Sequence, residues 1–250
     1  MNVCIVVPHY DHLEQFSQYL PKLAASGLPL IVVDDASPAE AVDALAALLE
    51  GDEFKATLIR HEQNQGKGGT VATGLRAAFA SGYTHAVQVD ADGQHDSRSI
   101  EGLVAEATTH PDSIICGEPV FDDSMSSVRF YARYITLFLV WLESLSTEIR
   151  DAMCGFRLYP LARIVAILDR ARIGRRMAFD PELLVRAIWA GVPLHYVPVR
   201  VVYPEGGRSH FHYFRDNVVI SWMHTRLLLG MVLRLPLLLG RKFTGSRVLP

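Results

Sequence analysis

Cysteine is scarce in this chain: Cys4, Cys116 and Cys154 are the three in 250 residues, with no Cys-x-x-Cys spacing. That excludes a disulfide scaffold and a thiolate zinc site, and the apolar neighbours point to buried, reduced thiols in the cytoplasm. Long uncharged apolar runs are also missing. The most apolar stretch, 216–240, is interrupted by Arg226 and Arg234 and broken by Pro236, so no run approaches the roughly 18 to 20 residues that a spanning helix needs. The amino terminus lacks a basic n-region and a cleavage pattern, and Val3 to Val7 is too short for a signal core. It reads as a first strand. There is no Walker loop, no internal repeat and no low-complexity segment.

What the chain does have is size and apolar content. Half of its 250 residues are hydrophobic, enough for one large α/β domain with a proper core and too many for general disorder. The net charge of −3 is unevenly spread: residues 200–250 hold eight Lys/Arg against two Asp/Glu, or +6, leaving −9 for residues 1–199. A basic, apolar tail on an acidic body points to an anionic surface as partner, and the tail's apolar character favours membrane over nucleic acid.

Apolar strands and helical patterns alternate. Asn2 to Val7 reads as a strand ending at Pro8, followed by a helix with Leu13, Phe16, Leu20 and Leu23 on one face. Asp11 with Glu14 forms its capping pair, and Pro21 should interrupt it. Leu30 to Val33 runs into Asp34 and Asp35, after which Ser37, Pro38 and Glu40 form a capping box for a helix ending near Gly51. Ala56 to Arg60 is a third strand. Asn64-Gln65-Gly66-Lys67-Gly68-Gly69 then opens a helix over 70–81, where backbone amides and Lys67 can hold an anion. A generic strand-to-helix turn is the alternative reading. This order implies a mostly parallel, doubly wound sheet with ligands beyond the carboxyl ends of its strands.

The most informative stretch is Ala86 to His95. An apolar strand runs into Asp90, Ala91, Asp92, Gly93 and Gln94, and on an extended backbone residues i and i+2 point the same way. Asp90, Asp92 and Gln94 can then converge on a hard divalent cation, Mg²⁺ or Mn²⁺. A plain surface turn is the competing reading of Asp-x-Asp.

Beyond a helix from Ser97 to Thr109 and a strand at Ser113 to Cys116, the segment Val128 to Leu145 reads as one helix. Its polar residues Arg129, Arg133, Thr136, Glu143 and Ser144 share one stripe, and the rest suits membrane, core or a homo-oligomer interface. Asp151 to Tyr159 reads as a polar-aromatic turn, and Arg170, Arg172, Arg175 and Arg176 as a basic loop. Phe179 to Ala190 is a helix capped by Asp180 with Pro181 first, His195 to Val202 a strand, and Gly206 to Ser209 a flexible basic turn. Treated as a helix, 216–240 gathers Arg226, Arg234 and Arg241, with Arg215 and Asp216, on one arc. That pattern suits a helix lying in the membrane interface with arginines on anionic head groups.

Five motifs in this order, Val6-Val7-Pro8-His9-Tyr10, Val33-Asp34-Asp35-Ala36-Ser37, Asn64-Gln65-Gly66-Lys67-Gly68, Asp90-Ala91-Asp92-Gly93-Gln94-His95 and Cys154-Gly155-Phe156-Arg157, resemble the family 2 glycosyltransferases of GT-A fold. The dolichyl- and polyprenyl-phosphate sugar transferases are the branch that looks most similar. The resemblance implies a GT-A domain over 1–210, with 211–250 as a C-terminal amphipathic, membrane-associating segment. It implies a donor site lined by Pro8, Tyr10, Asp35 and Lys67, a metal on Asp90, Asp92 and Gln94, and Arg129, Arg133 and Arg157 facing the acceptor. The implied enzyme is an inverting, metal-dependent glycosyltransferase, peripheral on the inner face of the cell membrane, that uses a nucleotide-diphosphate sugar and a lipid-phosphate acceptor. That branch reads Pro-Thr-Tyr-Asn-Glu where this chain has Pro8-His9-Tyr10-Asp11-His12, so GDP- and UDP-linked donors both stay open. The Gln-x-x-Arg-Trp signature of processive synthases is absent. Two alternatives remain: a hydroxyl acceptor with Asp151 as base, and a sugar nucleotidyltransferase.

Overall fold

The computed structural model describes residues 1–51, 54–120, 127–200 and 213–244, the side chains of 127–132, 213–215, 242 and 244 excepted. In chain order the elements are β1 (Val3–His9), α1 (Leu13–Ala24), β2 (Leu30–Asp34), α2 (Ala39–Leu49), β3 (Ala56–Arg60), α3 (Lys67–Ala80), β4 (His85–Gln88) and α4 (Ser99–Thr109). They continue as β5 (Ile114–Val120), α5 (Ser127–Ser144), β6 (Arg157–Pro160), α6 (Leu161–Arg170), α7 (Phe179–Trp189), β7 (Leu194–Arg200) and α8 (Tyr213–Thr244).

Seven strands form one sheet in the order β3-β2-β1-β4-β6-β5-β7. Every pairing is parallel except those of β6, which runs antiparallel to β4 and β5. Alternation along β1 explains how the sheet is covered on both faces: Cys4 and Val6 join a core with α3, α5, α6, α7 and α8, while Val3, Ile5 and Val7 join a core with α1, α2 and α4. All three cysteines are buried. Burial pushes the Cys4 thiol up to about 12, as expected of inert core groups.

Several local expectations give way. Helices α1 and α2 have no side-chain cap, because Asp11 takes a left-handed φ of 52° and Ser37 Oγ is spent on Asp34. Helix α1 continues past Pro21, whose carbonyl still accepts the Ala25 N–H at 3.1 Å. Residues 157–160, read as part of a turn, are the strand β6, placed between β4 and β5. Helix α8 runs through Pro236 to Thr244, and Asp216–Arg241, 26 residues, is long and apolar enough to cross a membrane by length and composition. The 210/211 boundary and the turn at 206–209 lie outside the described residues, but α8 itself shares a core with the sheet through Met223, Leu227, Met231 and Leu238.

Candidate active site

The carboxyl ends of β1, β2 and β4 lie side by side, since β1 pairs with both neighbours in parallel. At the β2 end the carboxylates are fully engaged. Asp34 Oδ1 lies 3.0 Å from His9 Nδ1 and accepts from Ser37 Oγ, and its Oδ2 accepts the Ser37 N–H. Asp35 accepts the N–H groups of Gln65 at 2.8 Å and Gly66 at 2.7 Å, and its Oδ1 is 2.9 Å from His61 Nδ1. Asp35, expected to line the donor site, also pins the glycine loop to the sheet.

The same bonds alter the reading of that loop as an anion cradle. The Gln65 and Gly66 amides are committed to Asp35, and the Gly69 amide to the carbonyl of Arg175 at 2.9 Å. Gly66 needs its glycine: its φ is 80°, and a Cβ there would stand 2.6 Å from Arg176 Cγ. Helix α3 starts at Lys67 itself, so what the loop offers to the site is the Lys67 side chain. Its Nζ donates to Asp90 Oδ2 at 2.7 Å and lies 3.6 Å from Asp180 Oδ2. Burial opposes a charge on this amine, but the Asp90 and Asp180 carboxylates more than offset it and hold its pKa above the ordinary lysine range.

Strand β4 stops at Gln88, two residues before Asp90, so extended i, i+2 geometry does not bring the carboxylates together. A turn does so, with Gly93 at φ 72° and the Gln94 N–H donating to Asp92 Oδ1 at 3.0 Å. Gln94 is thus placed through its backbone. Burial raises the Asp92 carboxyl pKa and the neighbouring Asp90 charge raises it further, whereas Asp90, despite burial, is held low chiefly by Lys67. His95 stacks on Phe156 at 4.9 Å, and burial outweighs the Asp90 and Asp92 charges to lower its pKa.

A hard divalent cation fits this donor set. Asp90 Oδ1 is buried and has no hydrogen-bond partner among the described residues, and a buried carboxylate oxygen left in that state is costly unless something binds it. Two close carboxylates, one of them pushed toward protonation by burial and by the other's charge, provide the oxygen donors and charge that Mg²⁺ or Mn²⁺ prefers.

On the acceptor side the expected residues are placed differently. Arg157 opens β6, is 1% exposed, and donates to the carbonyls of Asp180 at 3.0 Å and Ala152 at 3.1 Å. It is a buried strut. Asp151 Oδ2 pairs with Arg133 Nε and Nη2, and its Oδ1 accepts the Met153 and Cys154 N–H groups. Arg133 and Asp151 together fix the 151–154 turn, and the Arg129 side chain lies outside the described residues. Gly155 lets this turn close over the site, since a Cβ there would stand 2.7 Å from Gln88 Nε2 and 2.8 Å from Lys67 Nζ. Pro8 sits within β1, opposite Val33, and Tyr10 is exposed just beyond it.

Asp180 was read from sequence as a helix cap. The cap is Ala178, and the Asp180 carboxylate turns inward to Lys67, Arg157 and Gln88 Nε2. The available signal was an acid inside an apolar run, Phe179-Asp180-Pro181-Glu182-Leu183-Leu184.

The model of glycosyl transferase family 2 matches residues 4–165. The chain belongs to glycosyl transferase family 2. Its relatives include a dolichyl-phosphate beta-glucosyltransferase of Dictyostelium discoideum, 27% identical, with 81% of this chain and 64% of that protein covered. Another is an undecaprenyl-phosphate mannosyltransferase of Micrococcus luteus, also 27% identical, covering 84% of this chain and 87% of the relative. The chain thus spans a little under two thirds of the first relative's length. Among solved structures it is similar to Staphylococcus aureus TarS 1–349 in complex with UDP-GlcNAc, with a TM-score of 0.61 at 15% identity over 99% of this chain and 74% of that one. The mannosyltransferase PcManGT of Pyrobaculum calidifontis, in complex with GDP-Man and Mn²⁺, gives a TM-score of 0.56 at 17% identity, covering 93% of this chain and 64% of that one. These likenesses show a GT-A fold.

Proposed function

We propose that this family 2 member transfers a sugar from a nucleotide-diphosphate sugar to a polyprenyl phosphate at a membrane surface, inverting the anomeric carbon by in-line displacement. The observation that carries the reading is the unsatisfied Asp90 Oδ1 beside Asp92 and Lys67. In this proposal Asp90 and Asp92 hold Mg²⁺ or Mn²⁺, which when bound supplies positive charge where the departing diphosphate becomes negative. Lys67, kept cationic between Asp90 and Asp180, adds a fixed charge to the same region. Names of relatives support the acceptor: dolichyl phosphate in one and undecaprenyl phosphate in another.

Asp151 bears on the choice between acceptors. A hydroxyl needs a general base, but both Asp151 oxygens are committed, one to Arg133 and the other to two backbone N–H groups. A lipid monophosphate needs no such base, because its second pKa is about 6 and it arrives largely ionised. The nucleotidyltransferase alternative falls with the family assignment.

We read the contact with membrane as the reverse of the expected one. Arg226 bonds Glu182 Oε2 at 2.9 Å, Arg241 donates to the Trp189 carbonyl at 2.8 Å, and Arg234 lies over the Trp189 ring, so these arginines face the catalytic domain. The outward face carries Val218, Trp222, Leu229, Val232, Leu233, Leu239 and Phe243, and adjoining α5 exposes Ile135, Phe138 and Leu142. In our reading this uncharged surface is what enters the acyl region of the bilayer, with α8 lying along it.

The deciding experiment is an assay of UDP or GDP release from a panel of sugar nucleotides, with a polyprenyl phosphate or the matching polyprenol as acceptor. Turnover should require the phosphate, stop in EDTA and return with Mn²⁺ or Mg²⁺. Equal use of the alcohol, or full activity in chelator, would overturn the proposal.

A further inference from the structure

Three metal-ligating side chains meet at the end of the sheet opposite the candidate active site. Glu106 and His110 are four residues apart at the end of α4, and so share one face of the helix. His195 is the second residue of β7, paired with Ile115 near the start of β5. The His195 Nδ1 lies 3.2 Å and the His110 Nε2 3.6 Å from Glu106 Oε1. All three ligand atoms lie within 4.8 Å of one another. Zn²⁺ bound tetrahedrally at roughly 2.0 to 2.1 Å from nitrogen and oxygen donors separates neighbouring ligand atoms by about 3.3 Å. Two of the three separations already bracket that value.

We propose that Glu106, His110 and His195 form a second metal site, for Zn²⁺ or a similar borderline transition ion, that joins α4 to β7. Its donor set sets it apart from the oxygen-rich cluster at Asp90 and Asp92: two imidazoles and one carboxylate select against Mg²⁺ and favour Zn²⁺, Co²⁺ or Ni²⁺. The ligands stand on rigid backbone. His110 closes α4 with its N–H on the Glu106 carbonyl at 3.0 Å, its own carbonyl accepts the Ser113 N–H at 3.1 Å, and β7 is held along its length by β5. The two imidazole rings stack at 3.7 Å between centroids, 17° from parallel, and each holds one nitrogen near the same Glu106 oxygen; chelation requires the rings to turn out of the stack until both lone pairs meet at one point. Side-chain exposures of 38%, 35% and 31% for His110, Glu106 and His195 leave room for water to complete a four-coordinate shell.

The mechanical effect would reach the other end of the sheet. The segment leading into α4 is also joined to β7 there, where the Asp96 N–H donates to the Arg200 carbonyl at 3.4 Å, just after the Asp90–His95 turn. An ion at Glu106, His110 and His195 closes the far end of the same pair, about 16 Å away along the strand.

The test uses the full chain, stripped with chelator and returned to millimolar Mg²⁺ so that the oxygen-rich site is occupied. Zn²⁺ is then titrated by calorimetry, with thermal melting in parallel and Co²⁺ absorption as a report of tetrahedral geometry. We expect one equivalent of Zn²⁺ with micromolar or tighter affinity, a rise in Tm with saturation, and a loss of at least about tenfold in affinity in each of His110→Gln and His195→Gln. Asp92→Asn should leave Zn²⁺ binding unchanged, which separates this site from the proposed catalytic one. No binding at 10-fold molar excess, or binding retained in both histidine variants and lost in Asp92→Asn, would overturn it. The former result would leave a carboxylate–imidazole cluster that holds no metal.

Discussion

Two aspartate pairs stand at the carboxyl ends of strands that flank β1, and they differ in what their oxygens touch. Asp34 and Asp35, after β2, have every carboxylate oxygen bonded within the chain. Asp90, after β4, is bonded through one oxygen and has the other buried without a partner among the described residues. In sequence both pairs are acids that end an apolar strand. In the structure the saturated pair builds the site and the unsaturated one is available to a ligand. A related division runs through α8, whose Arg226, Arg234 and Arg241 contact the domain while its apolar arc faces outward.

The strongest way to break this comparison is Asp92→Asn. The amide oxygen can still accept the Gln94 N–H, so the turn survives while a metal-binding charge is lost. Transfer should fall by about 100-fold or more with an unchanged melting temperature. Near-normal turnover would remove the carboxylates from the mechanism.

Next in size is the outer face of α8. Replacing Trp222 and Leu233 together with Asp should weaken co-flotation with anionic vesicles by at least about tenfold, since each buried side chain of this size contributes roughly 1.5 kcal/mol or more. Arg226→Gln should leave flotation intact and lower stability, because it removes one of the two arginines that pair with a fully buried Glu182. The opposite pattern, with vesicle binding lost through Arg226, would restore the arginine-outward arrangement.

Asp35→Asn tests the saturated pair. Its amide group cannot accept from both Gln65 and Gly66, and leaving a buried N–H unpaired costs about 1 to 3 kcal/mol, measurable by urea unfolding. Unchanged stability with lost nucleotide affinity would return Asp35 to the donor site.

Glu143 is an intermediate case: Oε1 is 2.7 Å from His224 Nδ1, and Oε2 is buried without a partner among the described residues. Burial, offset in part by His224, raises its carboxyl above the ordinary 4.5. The folded state therefore binds the proton more tightly than the unfolded state, and this stability, present below 4.5, is lost as pH rises through the folded value. Glu143→Gln should gain on the parent over that window, by up to about 1.4 kcal/mol per pH unit. Parallel stability curves for the two proteins would show that the pair does not titrate there.

Legibility from sequence followed the length and regularity of each signal. Strands β1 to β4 were readable because apolar runs alternated with helical spacing, and Asp90 and Asp92 stand out as candidates because they follow such a run. Strand β6 was hidden: it is four residues long and begins with Arg157, whose guanidinium is held by the carbonyls of residues 152 and 180 and by the Asp180 carboxylate. Asp180 was mistaken for a cap since the proline after it gives the same signal at a helix start. The orientation of α8 was inverted for a simpler reason. A helical wheel separates two arcs but does not say which one meets the domain, and the partners that decide it, Glu182 and Trp189, lie on α7.

The reversed strand β6 also has a consequence for the nascent chain. Strand β5 is hydrogen-bonded to β6 on one side and β7 on the other, both of which leave the ribosome later. Strands β1 to β4 can pair among themselves once the first ninety or so residues have emerged, whereas β5 has no neighbour until β6 arrives. Those four residues are the zip between an early half-sheet and a late one. A lesion in β6 should therefore appear first as slow maturation and aggregation of new chains, because an unpaired edge must wait longer for its partner.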